Sequence, residues 1–240
     1  MKVLNIVKRI SRIMAMLAVY VICAYGYLTA KGFVFDGHTM ILSNPAEAKE
    51  RPFSEKVTGE VGLSAERTRA LGVENAPLTI FAYSSMSCAH CRDFHKFTLP
   101  KLKRDFIDQG KVRFIFIHFP IEVIAMRAAK LSYCLPNEKF YDFIDELYEK
   151  KDWLYSKNEQ KLYNHAKEFG MTDADIEACN ADKKLTSDIL LVKQNAIDNF
   201  NILGTPSFII EGKDGKEMIL GTKNYDDFKA YLEKRLTGEQ

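Results

Sequence analysis

Two cysteines, Cys88 and Cys91, are separated by two residues in the segment SSMSCAHCRDFHKF, residues 84–97. A pair at this spacing can close a redox-active disulfide, contribute two thiolates to a zinc site, or consist of two unrelated buried thiols. These possibilities require different surroundings. A redox pair needs one activated thiolate and a second thiol within its reach, whereas a structural zinc site needs two further ligands.

The flanking sequence predicts that the pair lies between a strand and a helix. The run LTIFAY, residues 78–83, is short and apolar, as expected of a strand that is buried on both faces. A helix is predicted over residues 88–109, with a kink at Pro100 and its end at Gly110. The run VRFIFIHF, residues 112–119, is the next strand. These elements predict a βαβ unit with parallel strands.

This arrangement places Cys88 at a helix N-terminus, where unpaired N–H groups and the positive end of the dipole favour a thiolate. The thiolate is the nucleophilic form, so the position activates Cys88. Cys91 lies one turn later and can resolve a mixed disulfide formed by Cys88. His90 can donate an N–H to the thiolate and stabilise the reduced form; the alternative is a solvated loop histidine.

The zinc hypothesis has few candidate ligands. His95, four residues after Cys91, could be a third ligand, but a structural zinc site usually draws on a second Cys or His pair. The remaining candidates lack that spacing: Cys134, Cys179, His38, His118 and His165. We therefore predict redox chemistry with no metal and no cofactor; zinc and inert core thiols are the alternatives.

The N-terminal segment indicates export from the cytoplasm. Basic residues are the only charged side chains in residues 1–30, and an uncharged run of 18 residues, IMAMLAVYVICAYGYLTA, fills positions 13–30. A basic flank before an apolar run is typical of a signal peptide or of an N-terminal membrane anchor. The length of the run falls between the two cases, so both remain open. Either one places the rest of the chain outside the cytoplasm.

Composition and cysteine number agree with an exported globular protein. The 240-residue chain has a formal net charge of +2, but residues 31–240 carry two more acidic than basic side chains. No nucleic-acid-binding surface is indicated. Four cysteines remain after the N-terminal segment, at positions 88, 91, 134 and 179. An even number favours disulfide chemistry in an oxidising compartment.

The sequence pattern predicts one α/β domain interrupted by helices. Residues 31–75 show no sustained periodicity, so we interpret them as a stalk or a loosely packed segment. The βαβ unit occupies residues 76–120. Apolar residues at helical spacing indicate helices over residues 121–199. Residues 200–240 contain a predicted β-hairpin and a final helix.

Five segments, in this order, resemble the DsbA-type thiol:disulfide oxidoreductases, the alphaproteobacterial group in particular: SSMSCAHCRDFHKFTLPKL, GKVRFIFIHFP, AAKLSYC, ACNAD and GTPSFIIEGK. The resemblance extends over residues 75–236. It implies a thioredoxin fold with an inserted all-helical domain. The thioredoxin-like domain would comprise residues 76–120 and 200–240, and the insertion residues 121–199.

The resemblance also implies roles for individual residues. Cys88 corresponds to the nucleophile and Cys91 to the resolving cysteine, with His90 in the dipeptide that tunes the reduction potential. Thr205 and Pro206 match the family's cis-proline segment. A cis X-Pro bond turns the chain sharply, which leaves the Thr205 backbone free to pair with an extended substrate.

Three further positions bear on the resemblance. Cys134 and Cys179 lie where the alphaproteobacterial members carry a second cysteine pair, which implies a structural disulfide in the insertion. Ala82 differs from the family, which often has a buried acid six residues before the first cysteine. A proton acceptor that assists Cys91 is then absent, supplied by another residue, or replaced by water.

The function that the resemblance implies is that of a periplasmic dithiol oxidase, either exported or anchored to the inner membrane by residues 13–30. It would transfer the Cys88–Cys91 disulfide to reduced, unfolded exported proteins and be reoxidised by a quinone-linked, DsbB-like membrane protein. A disulfide isomerase or reductase on the same fold is the alternative, because the sequence does not determine the reduction potential. A noncatalytic metal-binding or chaperone-like module is a third hypothesis.

Overall fold

The structure is a computed structural model that describes residues 53–155, 159–221 and 223–238, together with Met16, Tyr20, Val21 and the strands β1 (Phe33–Phe35) and β2 (Met40–Leu42). The chain divides into two units, Met1–Pro52 and Phe53–Gln240. In the first unit, β1 and β2 pair antiparallel. The predicted signal peptide or anchor, residues 1–30, lies outside the described residues except for the three named. Within the described ranges, no helix is long and apolar enough to cross a membrane.

A six-stranded sheet lies at the centre of the second unit. Its strands along the chain are β3 (Glu55–Val57), β4 (Ala70–Leu71), β5 (Leu78–Ser84), β6 (Val112–His118), β7 (Ser207–Gly212) and β8 (Gly215–Leu220). Their spatial order is β3-β8-β7-β5-β6-β4. β5 and β6 are parallel, and β7 pairs antiparallel with both β5 and β8. These pairings confirm the predicted βαβ unit and the hairpin.

The central strands are apolar on both faces because both faces of the sheet are covered. Ile80 and Phe116 belong to one buried cluster, while Tyr83 and Ile117 belong to another. Alternation along a strand places the two clusters on opposite faces. The first cluster continues into the helical segment after β6 and includes Phe143. The sheet and the helical insertion therefore share one core.

The segment interpreted as a stalk, residues 31–75, differs from that expectation in its second half. Glu55 of β3 pairs with Met218 of β8, and Ala70 of β4 pairs with Ile115 of β6. Residues 53–75 thus supply both edges of the sheet. β3 has three residues and β4 has two, so neither is long enough to show an alternating pattern. Their pairing depends on the backbone of the neighbouring strand rather than on their own side chains.

The helix that begins after Cys88, α1, consists of four consecutive segments: Ala89–Asp93, Phe94–Thr98, Leu99–Leu102 and Lys103–Ile107. The second and fourth are π-helical, and the amide of Leu99 donates to the carbonyl of Phe94, five residues earlier. Pro100 has no N–H to continue the α-helical pattern, and π-bulges are a recognised cause of helix distortion. The predicted irregularity at Pro100 is therefore a π-helical stretch on either side of it.

The described residues of the insertion contain five α-helices and a short 3-10 helix, Asn137–Lys139. The α-helices are α2 (Val123–Cys134), α3 (Phe140–Lys150), α4 (Gln160–Glu168), α5 (Asp173–Ala181) and α6 (Lys183–Phe200). A final helix, α7 (Tyr225–Thr237), begins where the Asn224 side chain accepts from the amide of Asp227. This cap satisfies one of the free N–H groups at the helix start. The α/β fold with an inserted all-helical segment is thus confirmed.

Candidate active site

Cys88 lies where β5 has ended and α1 begins. It is the N-cap residue of α1, and its Sγ accepts a hydrogen bond from the amide of Cys91 at 3.4 Å. The amide of Cys88 itself donates to the carbonyl of Ser85 at 3.1 Å. The short connection from the strand therefore holds the sulfur over the free N–H groups of the first helical turn. This is the position that the sequence predicted.

The surroundings of Cys88 lower its pKa to about 5. The largest cause is a hydrogen bond from the Cys91 thiol; the Thr205 hydroxyl and the amides of Cys91 and His90 add to it and outweigh the opposing effect of burial. Each of these groups is a donor, and donors stabilise a thiolate relative to a thiol. Cys88 is therefore a thiolate at neutral pH, the form that attacks disulfides.

Cys91 has the opposite properties. It is 1% exposed, and burial raises its pKa well above the ordinary value. Negative charge on the adjacent Cys88 raises it further. One sulfur of the pair is thus exposed enough to react and charged, while the other is buried and protonated. This division suits one attacking and one resolving cysteine.

The predicted substrate-binding segment lies directly beside Cys88. The Thr205–Pro206 peptide bond is cis, and the carbonyl of Thr205 is 3.4 Å from Cys88 Sγ. Pro206 immediately precedes β7, the strand that pairs with β5. The main chain at Thr205 therefore faces the reactive sulfur, where an extended peptide can pair with it.

His90 is exposed, and its main-chain amide is among the groups that lower the pKa of Cys88. We therefore expect His90→Ala, which keeps that amide, to raise the pKa of Cys88 only slightly and to lower the reduction potential by less than about 30 mV. Thiolate absorbance against pH and equilibration with glutathione measure the two effects. A larger change in either quantity would assign the tuning to the imidazole ring.

The position of the missing acid, Ala82, is fully buried between Phe116 of β6 and Phe208 of β7. A polar side chain instead reaches the active-site loop from the helical insertion. Tyr148 of α3 donates from its hydroxyl to the carbonyl of Ser85 at 3.0 Å. Burial raises the pKa of Tyr148 well above its usual value, and the nearby sulfurs of Cys91 and Cys88 raise it further. The insertion thus reaches the base of the active site.

Sequence reasoning did not identify Tyr148 as part of the site, because the residue fits the apolar face of α3 by its spacing. Its hydroxyl group reaches the site only because α3 packs against the loop that follows β5. His95, the third ligand of the zinc hypothesis, lies next to Tyr148, with ring centroids 5.1 Å apart. One of its ring nitrogens pairs with Asp145. His95 therefore packs against α3 and pairs with a carboxylate of that helix.

The second cysteine pair forms a disulfide. Cys134, at the end of α2, is bonded to Cys179 of α5, with an S–S distance of 2.08 Å. Nearby, Lys130 of α2 donates to the carbonyls of Asn180 and Asp182 at 2.7 and 2.9 Å. Cys88 and Cys91 are free thiols in the same structure. The bond therefore links two helices of the insertion.

The described residues around Cys88 can perform thiol–disulfide exchange without another group. A charged sulfur, a buried partner thiol one turn away and a main-chain edge for a peptide are the parts that this reaction needs. Comparison with known proteins supports this chemistry. A protein-family model described as Thioredoxin matches residues 64–234.

Relatives and solved structures are consistent with this match. Disulfide bond formation protein D of Bacillus subtilis (strain 168) is 25% identical over 195 residues, which cover 78% of this chain and 84% of the relative. The crystal structure of Wolbachia pipientis alpha-DsbA1 has a TM-score of 0.66 at 28% identity, covering 73% of this chain and 94% of that chain. Oxidised BdbD from Bacillus subtilis has a TM-score of 0.59 at 26% identity, covering 77% and 100%. The chain belongs to the thioredoxin family and is a DsbA-like disulfide oxidoreductase.

Proposed function

We propose that this protein is a periplasmic dithiol oxidase that transfers the Cys88–Cys91 disulfide to reduced, unfolded exported proteins. The observation that carries the proposal is the low pKa of Cys88, about 5. A group that stabilises the thiolate stabilises the reduced enzyme, and a stabilised reduced form makes the disulfide a stronger oxidant. Net transfer of disulfides to substrates is then the favoured direction.

The reaction runs in two exchange steps. A substrate thiolate attacks Cys88 Sγ, the Cys88–Cys91 bond breaks, and the electron pair passes to Cys91. Because burial raises the pKa of Cys91, this sulfur takes up a proton. A second substrate thiolate then attacks the substrate sulfur of the mixed disulfide, and Cys88 leaves as a thiolate. The substrate loses two electrons and two protons, and the enzyme retains both electrons on its two sulfurs.

The reduced enzyme must then be reoxidised. Its DsbA-like relatives imply a DsbB-like oxidant in general; we assign this role to a quinone-linked membrane protein that accepts the two electrons. Export is supported by the basic residues and the uncharged run at positions 13–30. Cell fractionation with N-terminal sequencing distinguishes a cleaved periplasmic form from a membrane-anchored one. Recovery of the intact chain from the cytoplasm would contradict the proposed location.

We expect Cys91→Ser to accumulate mixed disulfides through Cys88. The remaining thiolate can attack a peptide disulfide, but no buried thiol is present to release the product. Incubation with a disulfide-containing peptide, followed by acid quenching and non-reducing mass spectrometry, detects the adduct. The double variant Cys88→Ser/Cys91→Ser is the control and should give none. An adduct on another cysteine, or none with Cys91→Ser, would exclude the assigned division of roles.

A further inference from the structure

A buried histidine in the insertion faces two carboxylates. His165 of α4 is 8% exposed, and its Nδ1 has no hydrogen-bond partner in the part of the chain that the structure describes. Glu146 Oε1, from the neighbouring α3, lies 3.3 Å from this nitrogen, and Glu168 Oε2 lies 3.7 Å from it. All three ligand atoms are within 4.8 Å of one another. A buried nitrogen with no hydrogen bond requires an explanation.

The other ring nitrogen of His165 is held by a carboxylate. Nε2 lies 2.8 Å from Asp152 Oδ1, which can accept its hydrogen. An imidazole that donates from Nε2 presents the lone pair of Nδ1 to Glu146 and Glu168. A carboxylate behind the ring is the usual partner of a metal-binding histidine, since it fixes the tautomer and the ring orientation. Three carboxylates therefore approach this one ring.

The two separations from His165 Nδ1 fit a small tetrahedral ion. Zinc bonds of about 2.0–2.1 Å to nitrogen and oxygen place neighbouring tetrahedral ligands about 3.3 Å apart. The measured distances from His165 Nδ1 are 3.3 and 3.7 Å. Imidazole together with carboxylates suits zinc, whereas magnesium and calcium prefer ligand sets made of oxygen. His165 and Glu168 are three residues apart on one helix and therefore share a face.

Two other buried histidines have different surroundings. His118 Nε2 lies 2.7 Å from the hydroxyl of Ser132, and His95 pairs with Asp145 through one nitrogen. His165 differs because carboxylates approach both of its nitrogens. A positive group, Lys161, also borders the cluster, and its Nζ is 3.5 Å from the far oxygen of Asp152. Its partner is the carboxylate that pairs with Nε2 of His165.

We propose that Glu146, His165 and Glu168 form a zinc site, with Asp152 orienting the histidine. Three protein ligands leave one tetrahedral position for water, which can enter beside Glu168, whose side chain is 65% exposed. The ion would link α3 to α4. α3 also carries Tyr148, the residue that contacts the active-site loop, so the site would fix the helix that supports the reactive thiols. The proposed role is structural and involves no change of redox state.

The test uses the full chain without a histidine tag, with Cys88 and Cys91 closed as a disulfide so that they cannot bind zinc. After chelator treatment, equilibrium dialysis against zinc alone should give one ion per chain, and excess magnesium or calcium should not displace it. The absorption-edge spectrum should show nitrogen and oxygen ligands at about 2.0–2.1 Å and no sulfur. Zinc should also raise the melting temperature.

Variants locate the ion. Asp152→Asn should weaken zinc binding by about 10–100-fold, and His165→Ala should weaken it more. Glu168→Gln should also weaken binding while leaving the fold intact, since this side chain is largely exposed. Glu177→Gln, which removes an exposed carboxylate of α5, is the matched control and should bind zinc as the wild type does. Absence of stoichiometric zinc, sulfur ligation, or full binding by a folded Glu168→Gln variant would overturn the proposal.

Discussion

Replacing Cys88 by serine should abolish oxidation of a reduced peptide, so that the rate falls to that of the uncatalysed reaction. The reason is that Cys88 forms the bond to the substrate, and a serine hydroxyl can neither form a disulfide nor leave as a stabilised anion at neutral pH. Cys91 cannot take over, because it is 1% exposed and burial keeps it protonated.

A dithiol peptide with a fluorophore and a quencher measures this rate under a fixed glutathione buffer. The control is the double variant Cys134→Ala/Cys179→Ala, which removes two cysteines but leaves the active-site pair. We expect this control to retain most of the wild-type rate. Catalysis by the Cys88→Ser variant above the background would show that another thiol is the nucleophile.

Removal of the disulfide in the insertion has the largest expected effect on stability. Cys134 and Cys179 are 45 positions apart, and on the chain-entropy account a loop of this size stabilises the fold by roughly 4 kcal/mol. For a protein of this size that corresponds to a decrease in melting temperature of about 8–16 °C. Differential scanning calorimetry of Cys134→Ala/Cys179→Ala against the wild type measures the change.

The hydrogen bonds from Lys130 to the carbonyls of Asn180 and Asp182 remain in this variant, so α2 and α5 should stay in contact. A single variant, Cys179→Ala, should lose as much stability as the double variant, because the bond is absent in both. An unchanged melting temperature in the double variant, or free thiols at both positions of the unreduced wild type, would contradict a structural disulfide.

The sequence predicted the elements whose patterns are long. β5 and β6 are strands of seven mostly apolar residues each, and the helices of the insertion show a sustained apolar period. β3 and β4 were missed because strands of three and two residues have no period. They join the sheet by pairing with the edges of β8 and β6. Those edges exist only in the folded protein, so the sequence pattern does not reveal them.

The active-site residues likewise fall into those that could be predicted from the sequence and those that could not. Cys88 and Cys91 follow a strand with a clear pattern, so their positions could be predicted, whereas Thr205 was assigned only through the resemblance. Tyr148 lies 60 positions after Cys88 on a separate helix, and its hydrogen bond to Ser85 depends on how the insertion packs. Packing also determines the cluster around His165, whose ligands come from two helices. A search for paired ligands along the sequence did not find it.

We propose that the low pKa of Cys88 makes this protein an oxidant. The most direct test is the reduction potential of the Cys88–Cys91 pair, obtained by equilibrating the full chain with glutathione buffers and trapping the thiols in acid. We expect a value above about −180 mV, toward the −120 mV of DsbA. A value near that of thioredoxin, about −270 mV, would contradict the claim and favour a reductase on the same fold.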